Sequence, residues 1–208
     1  MFELSTLGAF IAVVIGLFLI PGPAVLLTAT RTVQGGRKAG VIAGIGLATG
    51  DLIHTIFAAV GLSAILMTSA LAFNIVKFAG AAYLIYLGIR AILEKPTDPK
   101  LPKVSPVSSL STYGQAILTE VLNPKTALFF LAFLPQFVHP EHGTSVLQFL
   151  SLGLIFVFLG VIYTTLIALS IRPLGRLVKR ISWLGRFSGK IVGAIYLGLG
   201  LKVAFQSR

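Results

Sequence analysis

Apolar positions along this chain come in long runs, not in alternation, and polar residues collect in the gaps between the runs. Windows of about 20 apolar residues, the length that crosses about 30 Å of hydrocarbon, recur near residues 7–28, 39–67, 73–93, 114–138, 146–171 and 188–205. A span facing lipid must satisfy its own backbone, so each window predicts a helix. The pattern predicts an all-α polytopic membrane protein with six transmembrane helices.

Composition agrees. Of 208 residues, 56% are hydrophobic and 11% charged, and the mean hydropathy is +0.95, far outside the soluble range. The net charge of +11 would suggest a polyanion partner in a soluble chain. Here thirteen of the 17 basic residues fall in three loops, around 31–38, 90–103 and 172–190. Cytoplasmic loops carry such an excess, so the three loops are expected inside, both termini outside, and no nucleic acid is expected as a partner. The absence of Lys or Arg before Arg31 argues against a cleavable signal peptide. With no cysteine, disulfides and thiolate ligation are excluded. No zinc-protease, serine-hydrolase or paired-aspartate signature is present, so the chain does not read as an enzyme.

The segment "EKPTDPKLPKVSPVSSLS", residues 94–111, repeats proline at three- and four-residue intervals and reads as an extended cytoplasmic linker. It separates a unit of residues 1–93 from one of 112–208, three spans each. "KFAGAAYLIYLGIRA" from Lys77 aligns with "KIVGAIYLGLGLKVA" from Lys190, with Gly80 on Gly193 and Tyr83 on Tyr196. "IPGPAVLL" faces "VLNPKTALFF", Pro23 on Pro124, and more weakly "GDLIHT" faces "GVIYTT". These matches indicate a tandem duplication. An odd number of spans per unit makes the second copy enter from the opposite side, giving two inverted three-helix repeats.

Pro21, Gly22 and Pro23 interrupt the first span, and Asn123 and Pro124 the fourth. Proline has no N–H and clashes with the preceding turn, while Gly22 and Asn123 tolerate unwound backbone. Broken helices at matching places in two inverted halves mark a transporter binding site, with half-helix amides suited to a carboxylate. Ionisable groups in hydrocarbon are costly. Asp51 lies mid-span with His54 three residues on, Glu120 precedes Asn123 by three, and Lys125 follows Pro124. Asp51, His54 and Glu120 are the candidates for proton coupling, and Lys125 needs an anionic partner. Lys77, near a span end, reads as snorkelling. Gly40, Gly44, Gly46, Gly50, Gly189 and Gly193 follow small-xxx-small spacing and read as helix packing. Tyr83, Tyr86 and Tyr196 read as packing aromatics.

"PGPA" in span one, "TGD" in span two, "GAAYLIYLG" in span three and "NPKTALFFLAFLPQF" in span four resemble the lysine exporter (LysE/RhtB) superfamily of bacterial amino-acid exporters, in its homoserine/threonine-exporter-like branch. The resemblance covers the whole chain. It implies six helices in the bacterial inner membrane, no metal and no cofactor, and amino-acid export driven by the proton gradient. It marks Pro21, Gly22, Pro23, Asp51, Asn123, Pro124 and Lys125 as substrate-binding. Branches that export basic amino acids tend to carry a further acid after Asn-Pro, where this chain has Leu128, Phe129 and Phe130. The expectation is therefore a multi-pass exporter of a neutral or hydroxylated amino acid such as homoserine or threonine, coupled to proton exchange, with a homo-oligomer left open. A metal or inorganic-cation exporter is the alternative, weakened by only two intramembrane acids, Asp51 and Glu120, as oxygen ligands.

Overall fold

A computed structural model describes residues 2–19, 22–64 and 108–178, with scattered helical positions between 71 and 93 and between 194 and 201. Side chains beyond residue 170 are described only at a few of those last positions. The described residues are helical and contain no strand. Most of the expected third and sixth spans, the linker 94–107, Pro21, Lys77, Tyr83, Gly189, Gly193 and Tyr196 lie outside the described residues.

Helix α1 runs Leu4–Phe18, and α2 runs Pro23–Phe57, continuing through a π-helical turn, Ala58–Leu62. Gly36 divides α2 with φ 75° and ψ −174°, a left-handed φ that glycine adopts without a Cβ penalty. Beyond it the chain folds back. A methyl on Gly40 would collide with the Thr32 side chain, although eight residues of straight helix would hold the two about 12 Å apart. The first span therefore ends at Gly36 and not near Thr28, because Arg31, Thr32 and Gln34 continue the helix until a residue that can reverse it.

Helix α3 runs Ser109–Val121, opened by Ser108, whose hydroxyl accepts from the Ser111 amide at 3.2 Å. This start lies inside the stretch expected to be linker. Helix α4, Pro124–Leu128, follows at a 43° bend and passes into a π-helical turn, Phe129–Phe133, and a 3-10 turn, Leu134–Phe137. Helix α5 runs Ser145–Val178. In its first turn Gln148 is fully buried and clamps the loop that precedes the helix, accepting from the His139 amide and donating to the carbonyls of His139 and Gly143.

Glycines set the register of the bundle. Gly40 and Gly44 face Ala168 and Thr164 of α5, and Gly153 faces Thr55, so the second arm of α2 and α5 run antiparallel. Gly46 lies under Tyr113 and Ala116, and Gly50 under Ile117 and Glu120, so that arm runs parallel to α3. The two glycine stripes thus serve two different neighbours, as small-residue packing requires. Phe57, Val60, Leu118, Leu122, Phe158 and Leu166 are more than half exposed and form the lipid-facing surface.

A Cβ on Gly50 would sit 2.6 Å from Glu120 Cβ and 3.3 Å from the Ile117 carbonyl oxygen. Gly50→Val is therefore expected to force α2 and α3 apart, at a cost of about 1–3 kcal/mol. Gly114, with nothing within 4 Å of a Cβ, is the control: Gly114→Ala should melt at or slightly above wild type, since alanine favours helix by about 1 kcal/mol over glycine. Thermal unfolding of both variants in detergent checks the pair, and equal melting temperatures would contradict the close approach at Gly50.

Candidate functional site

Two helix breaks in the chain are alike. At one, α1 ends at Phe18 and α2 starts at Pro23 behind an extended Gly22. At the other, α3 ends at Val121 and α4 starts at Pro124 behind an extended Asn123. A proline deprives the carbonyl four residues earlier of its helical donor. By that rule Pro124 orphans the carbonyl of Glu120; the carbonyl of Leu17 lies in the last turn of α1, beyond the reach of that helix's own amides.

Both carbonyls are answered from another span. Lys125 Nζ donates to the Leu17 oxygen at 3.2 Å, placing a cation at the negative end of α1. His54 Nε2 lies 3.0 Å from the Glu120 oxygen, which also accepts from the Asn123 amide. A carbonyl only accepts, so Nε2 carries the hydrogen in this contact. A Cβ on Gly22 would approach Lys125 Nζ to 3.4 Å. The two breaks are thus adjacent in space, and Lys125 bridges them.

Between the breaks lies a cavity of about 30 Å³, comparable to a water or two and smaller than any amino acid. Its polar lining comes from Asp51, Glu120, Asn123 and Lys125, with Thr126, Tyr163 and Thr164. Leu17, Phe18, Val25 and Leu47 supply the apolar part. On one side it is closed by an aromatic cluster that includes Phe10, Phe129, Phe133 and Phe156, with the Phe129 and Phe156 rings 5.0 Å apart. On the other side a thinner layer of Ala43, Leu47 and Ala116, packed by Ala24 and Leu27, separates it from the Gly36 end.

Asp51, Glu120 and Asn123 are all buried. The Glu120 carboxylate accepts from Asn123 Nδ2 at 3.2 and 3.3 Å and from the Thr126 hydroxyl. Asn123 Oδ1 in turn accepts from the Lys125 amide at 3.1 Å. Asp51 and Glu120 stand side by side in the lining, close enough for each charge to act on the other, and Lys125 acts on both carboxyls. Asp51 Oδ1 is nonetheless buried with no hydrogen-bond partner among the described residues. Fully ionised, two carboxyls and one ammonium leave a net negative charge, which a single proton or a single substrate cation would cancel.

Of the residues singled out from sequence, Asp51, Glu120, Asn123 and Lys125 line the cavity, and Gly22 adjoins it through Lys125. Pro23 and Pro124 have exposed side chains and act only on the backbone. His54 is not a lining residue; its ring stacks on Phe130 at 5.6 Å, and its polar edge serves the Glu120 carbonyl. Tyr86 is half-exposed and away from the cavity. Thr126, Gly160, Tyr163 and Thr164 line the site but were not singled out. Three of these four fall in "GVIYTT", the stretch that faces "GDLIHT" in the weakest of the internal matches.

No solved structure matches the chain. Among curated proteins it is 32% identical to the uncharacterized membrane protein YrhP of Bacillus subtilis, over 98% of this chain and all of the relative. It is 30% identical to the uncharacterized membrane protein PA4757 of Pseudomonas aeruginosa, over 92% of this chain and 91% of that one. It is 26% identical to the leucine efflux protein of Klebsiella pneumoniae, over 90% and 89% respectively. The LysE type translocator model matches residues 15–207, taking in both helix breaks and every lining residue of the cavity, and the chain belongs to the LysE type translocator family.

Proposed function

We propose that this chain exports a neutral amino acid across the bacterial inner membrane in exchange for protons, using the cavity between the two helix breaks. The observation that carries the reading is the meeting of Asp51, Glu120 and Lys125 beside two interrupted helices inside an apolar bundle. A zwitterion needs one anionic and one cationic partner at short range, and few other solutes do. Its carboxylate would meet Lys125 and the amides at the Gly22–Pro23 break. There Pro23 has no N–H and Leu26 donates to Gly22, so Ala24 and Val25, both lining residues, carry the first-turn amides without a helical acceptor. Its ammonium would meet Asp51 Oδ1.

Proton coupling follows from competition. A proton and an ammonium neutralise the same carboxyl pair, so the site releases one when it takes the other. His54 is the weaker of the three proton candidates, because its Nε2 hydrogen is committed to a carbonyl. The size of the cavity makes this an occluded arrangement, and binding requires one apolar layer to part. The thinner layer of Ala43, Leu47 and Ala116 faces the Gly36 turn with its Arg37 and Lys38, the end that the basic loops assign to the cytoplasm.

Leu17, Phe18, Val25 and Leu47 suit an apolar side chain such as leucine, the substrate named for the Klebsiella pneumoniae relative. The hydroxyls of Thr126, Tyr163 and Thr164 suit a hydroxylated one such as threonine or homoserine. For cation export, no group of three or more acids or histidines able to hold a metal exists among the described residues, and an ammonium stands beside the two acids. Efflux of labelled leucine, threonine, homoserine and lysine from cells overproducing the protein tests the proposal. The expected result is efflux of one or more neutral members, stopped by an uncoupler, with none of lysine. A response to divalent metals alone would overturn it. A tag at residue 208 in the same cells should be reached from outside, and a cytoplasmic tag would reverse the orientation.

A further inference from the structure

Arg31 stands outside the cavity described above and no step of the proposed export uses it. It lies in the first arm of α2, five residues before the Gly36 turn, and is 7% exposed. Its two terminal nitrogens donate to Gln34 Oε1, at 3.0 Å, and to Gln115 Oε1 of α3. Both partners are neutral, and no carboxylate pairs with Arg31 among the described residues. Arg31 Nε and Gln34 Nε2 are buried and have no acceptor among the described residues.

A buried guanidinium held only by amide oxygens is a costly arrangement. A guanidinium has five N–H donors in a planar fork, and two are used here. Arginine takes a carboxylate side-on through Nε and Nη2; here Nε is unpartnered among the described residues and Nη2, which gives one hydrogen to Gln115, carries a second. Gln34 Nε2 adds a further donor beside it. The exposed Arg37 and Lys38 stand on the adjoining turn and would draw anions toward it.

The position is equally specific. Gln115 precedes Glu120 by five residues along α3, and Arg31 follows Val25 by six along α2, so the cluster lies about 7–9 Å from the cavity walls along the helix axes. Among the described residues, the apolar cluster of Leu27, Ala43, Leu47 and Ala116 packs along the same helices between the two. We infer that Arg31, with Gln34 and Gln115, forms a second site that takes the carboxylate of the amino acid at the cytoplasmic end of the path, before the substrate passes the apolar layer into the cavity. This rests on the export reading. It adds to that reading a loading site on the side where the apolar layer is thin.

Purified full-length protein in liposomes, loaded with graded concentrations of the neutral amino acid that wild type exports best, tests the inference. Arg31→Gln is expected to raise KM about tenfold, the factor that one charge-assisted hydrogen-bond pair is worth, with kcat and melting temperature close to wild type. Arg31→Lys keeps the charge but loses the fork and should fall between. The amide of the same amino acid, which has no carboxylate, should compete equally poorly in wild type and Arg31→Gln. An unchanged KM in Arg31→Gln with normal wild-type transport would overturn the inference and leave the export reading standing. A fall in kcat and melting temperature at constant KM would assign Arg31 to structure and also overturn it. So would a KM shift seen only with phosphatidylglycerol in the bilayer, which would assign the site to a lipid phosphate. Wild-type vesicles that move none of the neutral amino acids would sink the export reading first.

Discussion

Asp51→Asn is expected to fold and reach the membrane at near wild-type yield, yet lose transport driven by a pH gradient. The substitution keeps the shape and removes one of two negative charges. What remains is Glu120 with Lys125, a neutral pair, so burial is not made worse. The Glu120 carboxylate keeps its bonds from Asn123 and Thr126. The loss falls on function. Asp51 Oδ1, without a partner among the described residues, is the acceptor assigned to the substrate ammonium, and a hydrogen bond to a charged group is worth about 1.5–3 kcal/mol. That corresponds to a drop in affinity of roughly 10- to 100-fold. The qualitative change is sharper than the quantitative one: residual exchange in Asp51→Asn should no longer respond to pH, because the group that alternates between proton and ammonium is gone. Flux measurements on the purified variant in liposomes, with and without an imposed pH gradient, check this. Normal gradient-driven flux in a stable Asp51→Asn protein would remove Asp51 from the mechanism.

Much of this site was legible in the sequence because its cause is local. Proline lacks an N–H wherever it sits, so the breaks at Gly22–Pro23 and Asn123–Pro124 follow from composition, and the structure places them where expected. An acid in a glycine-rich apolar run is equally conspicuous, and Asp51 lies in the cavity. What sequence could not supply is the register between helices. That His54 would serve the carbonyl orphaned by Pro124 depends on how far α3 slides along α2, and that Lys125 would reach the Leu17 carbonyl depends on where α1 ends. The slide of α3 along α2 is fixed by contacts such as Gly50 against Glu120. The Gly36 turn was missed for a related reason. Arg31 and Gln34 look like the polar start of a loop, but a helix tolerates both while it has partners such as Gln115 to satisfy them. Tyr163 and Thr164 were passed over because hydroxyls in an apolar span are common. Only the antiparallel packing of α5 on α2, which brings Gly160 against Asp51, turns them inward.

Lys125→Met should produce the largest loss of stability, and its repair by a second substitution is the more telling result. Removing the ammonium leaves Asp51 and Glu120 buried together without its charge, and takes from the Leu17 carbonyl, at the end of α1, the donor that Lys125 supplies. Breaking a buried charge arrangement by removing one partner costs about 3–5 kcal/mol, which for a chain of this length lowers the melting temperature by roughly 6–20 °C. If the cost is mainly the uncompensated acids, adding Asp51→Asn should recover part of it, since the double variant buries one carboxylate instead of two. A double-mutant cycle on thermal stability should then show coupling of about 1–3 kcal/mol between positions 51 and 125. Transport should stay absent in the double variant, because both the carboxylate and the ammonium partners of the zwitterion are gone. Additive losses at the two positions would mean that Lys125 stabilises the protein through Leu17 alone. The charge balance among Asp51, Glu120 and Lys125 would then have no part in holding the two helix breaks together.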